Sequence, residues 1–305
     1  MITIFSSIKQ LTWYSRLFKP RVMGLALLLL PLLLATGFTG QRPQTAAFTN
    51  PSVRGLPFGP AKLPSSLYRF PYTSTGLQPE PEEVISELDE ARAAGMRVLI
   101  NLAGDEDTFK DADGRFSLAL WIQRVDRFQG IDLDSYVADG TLAGHFLFDE
   151  PFNANRWNGQ VSYADIEATA AHSHQLWPSL PAGVTSNFGF LAGGAPWHSL
   201  DFAIVQYATW RGDFNEWMAD QLELRGQLNL GLVWSMNIVE GNDNETRMTA
   251  QQIRTWGAAL AAVPEACLLT LTQYNADMFS QADIIHAMRR VGKVARDRNP
   301  APCAY

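Results

Sequence analysis

From Gly55 to the carboxyl terminus, apolar runs of strand length alternate with segments of helical periodicity, and no other feature limits the fold of this 305-residue chain so tightly. Strands are expected near Gly55 to Pro60, Arg97 to Leu102, Leu142 to Asp149, Gly183 to Asn187, Phe202 to Tyr207, Leu228 to Trp234 and Cys267 to Thr272. Intervening helices imply parallel neighbours joined by right-handed crossovers, because a tight turn cannot connect parallel strands. The α/β candidates are a closed (β/α) barrel and an open doubly wound sheet. No Gly-rich phosphate loop follows the first strand, so the nucleotide-binding version of the open sheet is disfavoured and no cofactor is implied. The expectation is a (β/α)8-like barrel, irregular or short of one unit, with Leu67 to Tyr72 as the candidate eighth strand.

The helices carry their own start and stop chemistry. Pro79 and Pro81 precede Glu82 and Glu83, then Val84, Ile85, Leu88 and Ala91 recur at helical spacing until Gly95 stops the run. Ser162 with Asp165, Thr249 with Gln252 and Ser280 with Asp283 have capping-box spacing or a close variant, each worth about 1 kcal/mol.

The ends of the apolar runs are one-sidedly polar. Their exits are Asn101, Asp149 with Glu150, Asn187, Gln206 and Tyr207 with Trp210, Trp234 with Asn237, and Gln273 with Tyr274, while their entries show no such set. In a barrel these exits converge on one face and make a cleft of amides, acids and aromatic rings. That mixture suits a sugar, whose hydroxyls need forked donors and acceptors and whose ring faces stack on aromatics.

The run Phe146-Leu147-Phe148-Asp149-Glu150-Pro151 resembles a strand end of the TIM-barrel glycoside hydrolases, in many of which Asn-Glu-Pro or Asp-Glu-Pro carries the acid/base. The resemblance covers the strand and helix alternation from about Gly55 to Asn299 in outline. It implies glycosidic cleavage with Glu150 as proton donor and Asp149 as an orienting or hydroxyl-binding neighbour. Adjacent strand residues face opposite ways, so if Asp149 is the inward one these roles exchange. The chemistry needs a second carboxylate. Glu240, past Trp234 on the same face, is the first choice, with Asp105, Glu106 and Asp213 in reserve. The competing class is a non-catalytic carbohydrate-binding or surface protein on the same barrel, because fold does not fix activity.

Lys9, Arg16, Lys19 and Arg21 precede an uncharged, leucine-rich stretch from Val22 to Gln41, long enough to cross a bilayer. Residues 1–41 are therefore expected to be a signal peptide, with Pro31 breaking the apolar helix and the small residues Ala35 and Gly37 near a cleavage site, or an uncleaved anchor giving membrane association. Either puts the remainder outside the cytoplasm, after a linker over 42–52 and with the barrel over 53–305. Losing the four basic residues leaves 20 basic against 31 acidic residues and shifts the net charge from −7 to −11. Such a domain is a poor match for nucleic acid.

The five histidines show no metal-ligand spacing, and His145, within an apolar run, reads as a core residue. There is no Gly-x-Ser-x-Gly elbow. Cys267 opens a strand at the face opposite the cleft, and the last helix returns the chain there before Cys303, so a Cys267 to Cys303 disulfide is expected, with two buried thiols as the alternative.

Overall fold

A computed structural model describes residues 55–239 and 247–304. The expected leader, the linker and Glu240 lie outside the described residues. Eight parallel strands follow one another around the sheet: β1 (Phe58–Pro60), β2 (Ser74–Leu77), β3 (Arg97–Ile100), β4 (Leu142–Asp149), β5 (Ala182–Thr185), β6 (Phe202–Tyr207), β7 (Gly231–Met236) and β8 (Ala266–Leu271). β8 pairs with β1, and the ring closes where the Thr73 N–H donates to the Phe58 carbonyl (2.8 Å) and the Lys62 N–H to that of Gly76 (2.9 Å). The fold is a TIM barrel.

Among the described residues ten α-helical segments lie between and after the strands: α1 (Val84–Ala93), α2 (Leu118–Val125), α3 (Asp134–Ala138), α4 (Ala154–Trp157), α5 (Tyr163–Leu176), α6 (Phe188–Ala192), α7 (Phe214–Arg225), α8 (Ala250–Ala262), α9 (Ala276–Phe279) and α10 (Ala282–Arg296). Two of the expected caps form: Ser162 accepts from the Asp165 N–H, and Thr249 and Gln252 complete a capping box. The third does not. Gln281 precedes α10 without a side-chain cap, and the Ser280 hydroxyl turns back to the Asp277 carbonyl, because the short α9 claims Ser280 for its own end. The eighth strand is also elsewhere than expected. Residues 68–72 form a turn after a 3-10 segment at Ser65–Leu67, and the strand is Ser74–Leu77, too short and too polar at its start to give an apolar run.

Two apolar layers hold the barrel. Outside, the helices bury a continuous core that includes Trp121, Trp157, Phe188 and Trp234. Inside, Leu99, Phe202, Ile204, Val233 and Leu268 pack with Cys267 and Cys303, which are joined in a disulfide. The ring of Phe202 occupies the space that a Cβ at Gly144 or Gly183 would take, so those two strands reach the axis only as glycine.

Gly183→Ala is therefore expected to destabilise the protein by roughly 1–3 kcal/mol in urea unfolding, since the new methyl meets Phe202 and its backbone. A loss within about 0.5 kcal/mol would contradict a filled barrel interior. Reducing the disulfide, whose cysteines are 36 residues apart, should cost about 2–4 kcal/mol in the same assay.

Candidate functional site

The carboxyl ends of the strands surround a cleft of about 570 Å³. Phe146, Ile204 and Leu99 form its floor, and Asn101, Asp149, Thr185, Gln206, Ser235, Thr270, Thr272 and Gln273 add polar groups from six strand ends. Among the described residues the acids lining it sit on one side: Asp149 ends β4, and Asp105, Glu106 and Asp107 come from the loop after β3.

Which acid faces the cleft is decided by a fault in β4. His145 points outward and Phe146 inward, as alternation requires. Then the register against β5 shifts between Phe146 and Asp149, and Leu147 and Phe148 both enter the outer core. Phe148 packs on Phe116 (ring centroids 4.8 Å apart) and Trp157 (5.8 Å). The shifted backbone is anchored by indoles: Trp121 Nε1 donates to the Leu147 carbonyl (3.1 Å), and Trp157 Nε1 to those of Asp149 (3.0 Å) and Glu150 (3.2 Å). Asp149 thereby turns inward. Glu150 follows at φ 43°, a left-handed conformation unusual for a side chain of its size.

Around Asp149 the charges form one cluster. Arg156, on α4, reaches Glu106 with Nη1 (2.7 Å), Asp149 with Nη2 (3.0 Å) and Glu150 with Nε (3.6 Å). Glu106 also accepts the backbone N–H of Asp149 (2.8 Å), so both of its oxygens are engaged. Glu150 accepts from the Asn153 amide (2.8 Å) and is not among the residues lining the cleft. Burial pushes the Asp149 carboxyl up to about 7. Arg156 opposes that rise, Glu150 and Glu106 add to it, and a Thr185 hydrogen bond works against it. The carboxyl lies deep between walls of protein, yet 29% of its side chain stays open to cleft water. It can hold a proton near neutrality and reach a ligand.

The polar exits expected to converge do so only in part. Asn101, Gln206, Gln273 and Asp149 line the cleft; Asn101 also clamps the loop after β3 through the backbone of Gly104 (3.0 and 3.1 Å). Tyr207 and Trp234 do not line it, because each neighbours the inward residue of its strand and so faces the helices. Tyr207 packs on Phe214, Trp217 and Trp256 and donates to the Gly212 carbonyl, and Trp234 is fully buried against Trp217. Asn187 caps α6, Asn237 accepts from the Thr272 hydroxyl, and Tyr274 packs on Phe279; none lines the cleft. Trp210 is 48% exposed beyond the cleft lining. Asp213 caps α7. Arg156, Lys62 and Thr185 line the cleft without having been signalled by a strand-end pattern, though an arginine six residues after adjacent acids was a usable cue. His145 is fully buried, with Nδ1 2.8 Å from the Ser173 hydroxyl, and burial lowers its pKa to about 3, so it stays a neutral core residue.

Similar architecture occurs in solved carbohydrate enzymes. A GH18 chitinase from Pseudoalteromonas aurantia superimposes with a TM-score of 0.52 at 11% identity, covering 77% of this chain and 99% of that one. A glucosidase from Croceicoccus marinus gives 0.51 at 14% identity, covering 79% and 68%. Gas2 of Saccharomyces cerevisiae gives 0.52 at 13% identity, and the match spans only 57% of its length. Identities this low establish a shared barrel fold. No protein-family model and no curated protein matches the sequence.

The raised Asp149 pKa has a stability consequence of definite sign. Unfolded, the group ionises near its ordinary 3.8; folded, near 7. Below about 4 both states hold the proton, and between about 4 and 7 only the folded state does, so the stability contribution is lost as pH rises through that window. Parent minus Asp149→Asn stability, from urea unfolding at several pH values, should therefore fall from pH 4 to 7 with a slope below the one-proton limit of ~1.4 kcal/mol per unit, cleft water screening the effect. A flat difference would remove the shift.

Proposed function

We propose that this chain binds a carbohydrate in the cleft and hydrolyses a glycosidic bond there, with Asp149 as the proton donor. The observation that carries the reading is the inward Asp149 carboxyl, its pKa raised by burial to about 7, on a cleft whose other wall offers Gln206, Ser235, Thr270, Thr272 and Gln273 to sugar hydroxyls. The roles of the adjacent acids are thus exchanged relative to the motif resemblance: Glu150 supports the Arg156 cluster and Asp149 does the proton transfer. Glu106 is a positioning residue, since both its oxygens are engaged. The second carboxylate is assigned to Asp105, which lines the cleft, or to Glu240; about 5–5.5 Å of separation from the donor would give retention and about 6.5–9.5 Å inversion. An exported or membrane-tethered setting agrees with the Cys267–Cys303 disulfide.

A second reading, carbohydrate binding without cleavage, is favoured by one observation: among the described residues every acid lining the cleft comes from the β3 and β4 side.

The experiment is a glycan panel assayed with the parent, Asp149→Asn, Glu150→Gln, Asp105→Asn and Glu240→Gln. Asp149→Asn is expected to lower kcat by about 10²- to 10⁴-fold, Glu150→Gln by less than about tenfold, and one of the other two to match Asp149→Asn. Turnover surviving in Asp149→Asn refutes the donor assignment. Binding without turnover in the parent selects the second reading.

A further inference from the structure

All but one of the acids lining the cleft among the described residues are already ion-paired within the protein, Asp105 being the exception, while Lys62 on the lining and Arg211 just beyond it have no ion pair. Glu106, Asp149 and Glu150 share Arg156, and Asp107 pairs with Lys110 (2.8 Å). Lys62, which lines the cleft in a left-handed conformation at φ 55°, has no ion pair among the described residues. Arg211 stands out more. It ends the 3-10 turn Thr209–Arg211 that follows β6, the strand whose Gln206 lines the cleft. Its guanidinium carbon lies 4.4 Å from the centre of the Trp210 ring. Its Nε is buried without a hydrogen bond, and no hydrogen bond or ion pair among the described residues reaches its other nitrogens. Glu150 is the acid whose charge acts on it, from beyond ion-pair distance.

An N–H donor withdrawn from water without an acceptor, as the Arg211 Nε–H is, is costly, and a neutral hydroxyl would satisfy that donor while leaving the guanidinium charge uncompensated. A carboxylate matches the fork with two acceptors. The 48% exposed Trp210 beside it offers an aromatic face against which a sugar ring can stack.

We propose that Arg211, backed by Trp210, forms a subsite for the carboxylate of an acidic sugar, so that the glycan taken by the cleft contains uronic acid. This rests on the carbohydrate reading of the cleft but not on cleavage. Lys62 adds a positive group without an ion pair on the cleft lining for a longer acidic chain.

The test is calorimetric titration of full-chain Asp149→Asn, at low ionic strength, with hexamers of galacturonate and mannuronate and with an acidic xylo-oligosaccharide, each against a neutral hexaose. At least one acidic oligomer should bind about tenfold more tightly than its neutral counterpart, with added salt narrowing the gap. Adding Arg211→Met should abolish the preference and leave neutral binding unchanged, while Arg211→Lys should keep part of it. Thermal unfolding is expected to find Arg211→Met about as stable as its background, because the buried donor it removes has no hydrogen-bond partner; should it not fold, Arg211→Lys gives the reading by losing most of the preference. No acidic preference, or one that persists without Arg211, overturns the proposal. If the parent fails to cleave any glycan while the preference holds, the hydrolase reading falls and the acidic subsite stands.

Discussion

Two indole N–H groups hold the end of β4 in a register that strand alternation alone would not give. Trp121 and Trp157 take the carbonyls of Leu147, Asp149 and Glu150, while Phe148 is drawn outward among Phe116 and Trp157. Both tryptophans are fully buried, so each of these bonds satisfies a polar group that would otherwise be stranded in an apolar layer. The inward turn of Asp149 follows from this arrangement, and so does the left-handed Glu150. The site's chemistry is set by packing on the far side of the strand.

Charge is organised on the same principle. Asp149 is pushed toward neutrality by burial, and Arg156 keeps that push from going further while tying Glu106 and Glu150 into place. Glu106 closes the arrangement by accepting the Asp149 backbone N–H, which links the loop after β3 to the end of β4. One arginine therefore serves three carboxylates from two loops and a strand, and a glycan entering the cleft meets acids already engaged with protein. Among the described residues, Lys62 on the cleft lining and Arg211 in the turn after β6 have no ion pair.

The barrel was legible because its signals are local. Apolar runs with helical segments between them fix parallel pairing, and Thr249 with Gln252 marks a helix start wherever the chain folds. β2 was not legible in the same way: Ser74, Thr75 and Gly76 give no apolar run, and that strand is specified by its neighbours β1 and β3. The site was half legible. Asn101, Gln206 and Gln273 reach the cleft from the strand ends that predicted them, whereas Tyr207 and Trp234 sit one residue from the inward position and pack against helices instead.

The sequence by itself determined the class of fold, the face on which polar residues gather, and the pair of adjacent acids at the end of β4, since each depends on periodicity and short-range spacing. Only the tertiary structure decided which acid of the pair faces the cleft, because that turns on a register shift imposed by Trp121, Trp157 and Phe116, residues 26 or more positions upstream or several downstream of the strand end. The same holds for the Arg156 cluster and for Arg211, which has no ion pair among the described residues. Whether a charge is paired depends on what the fold brings within a few ångströms of it, and spacing along the chain carries no record of that.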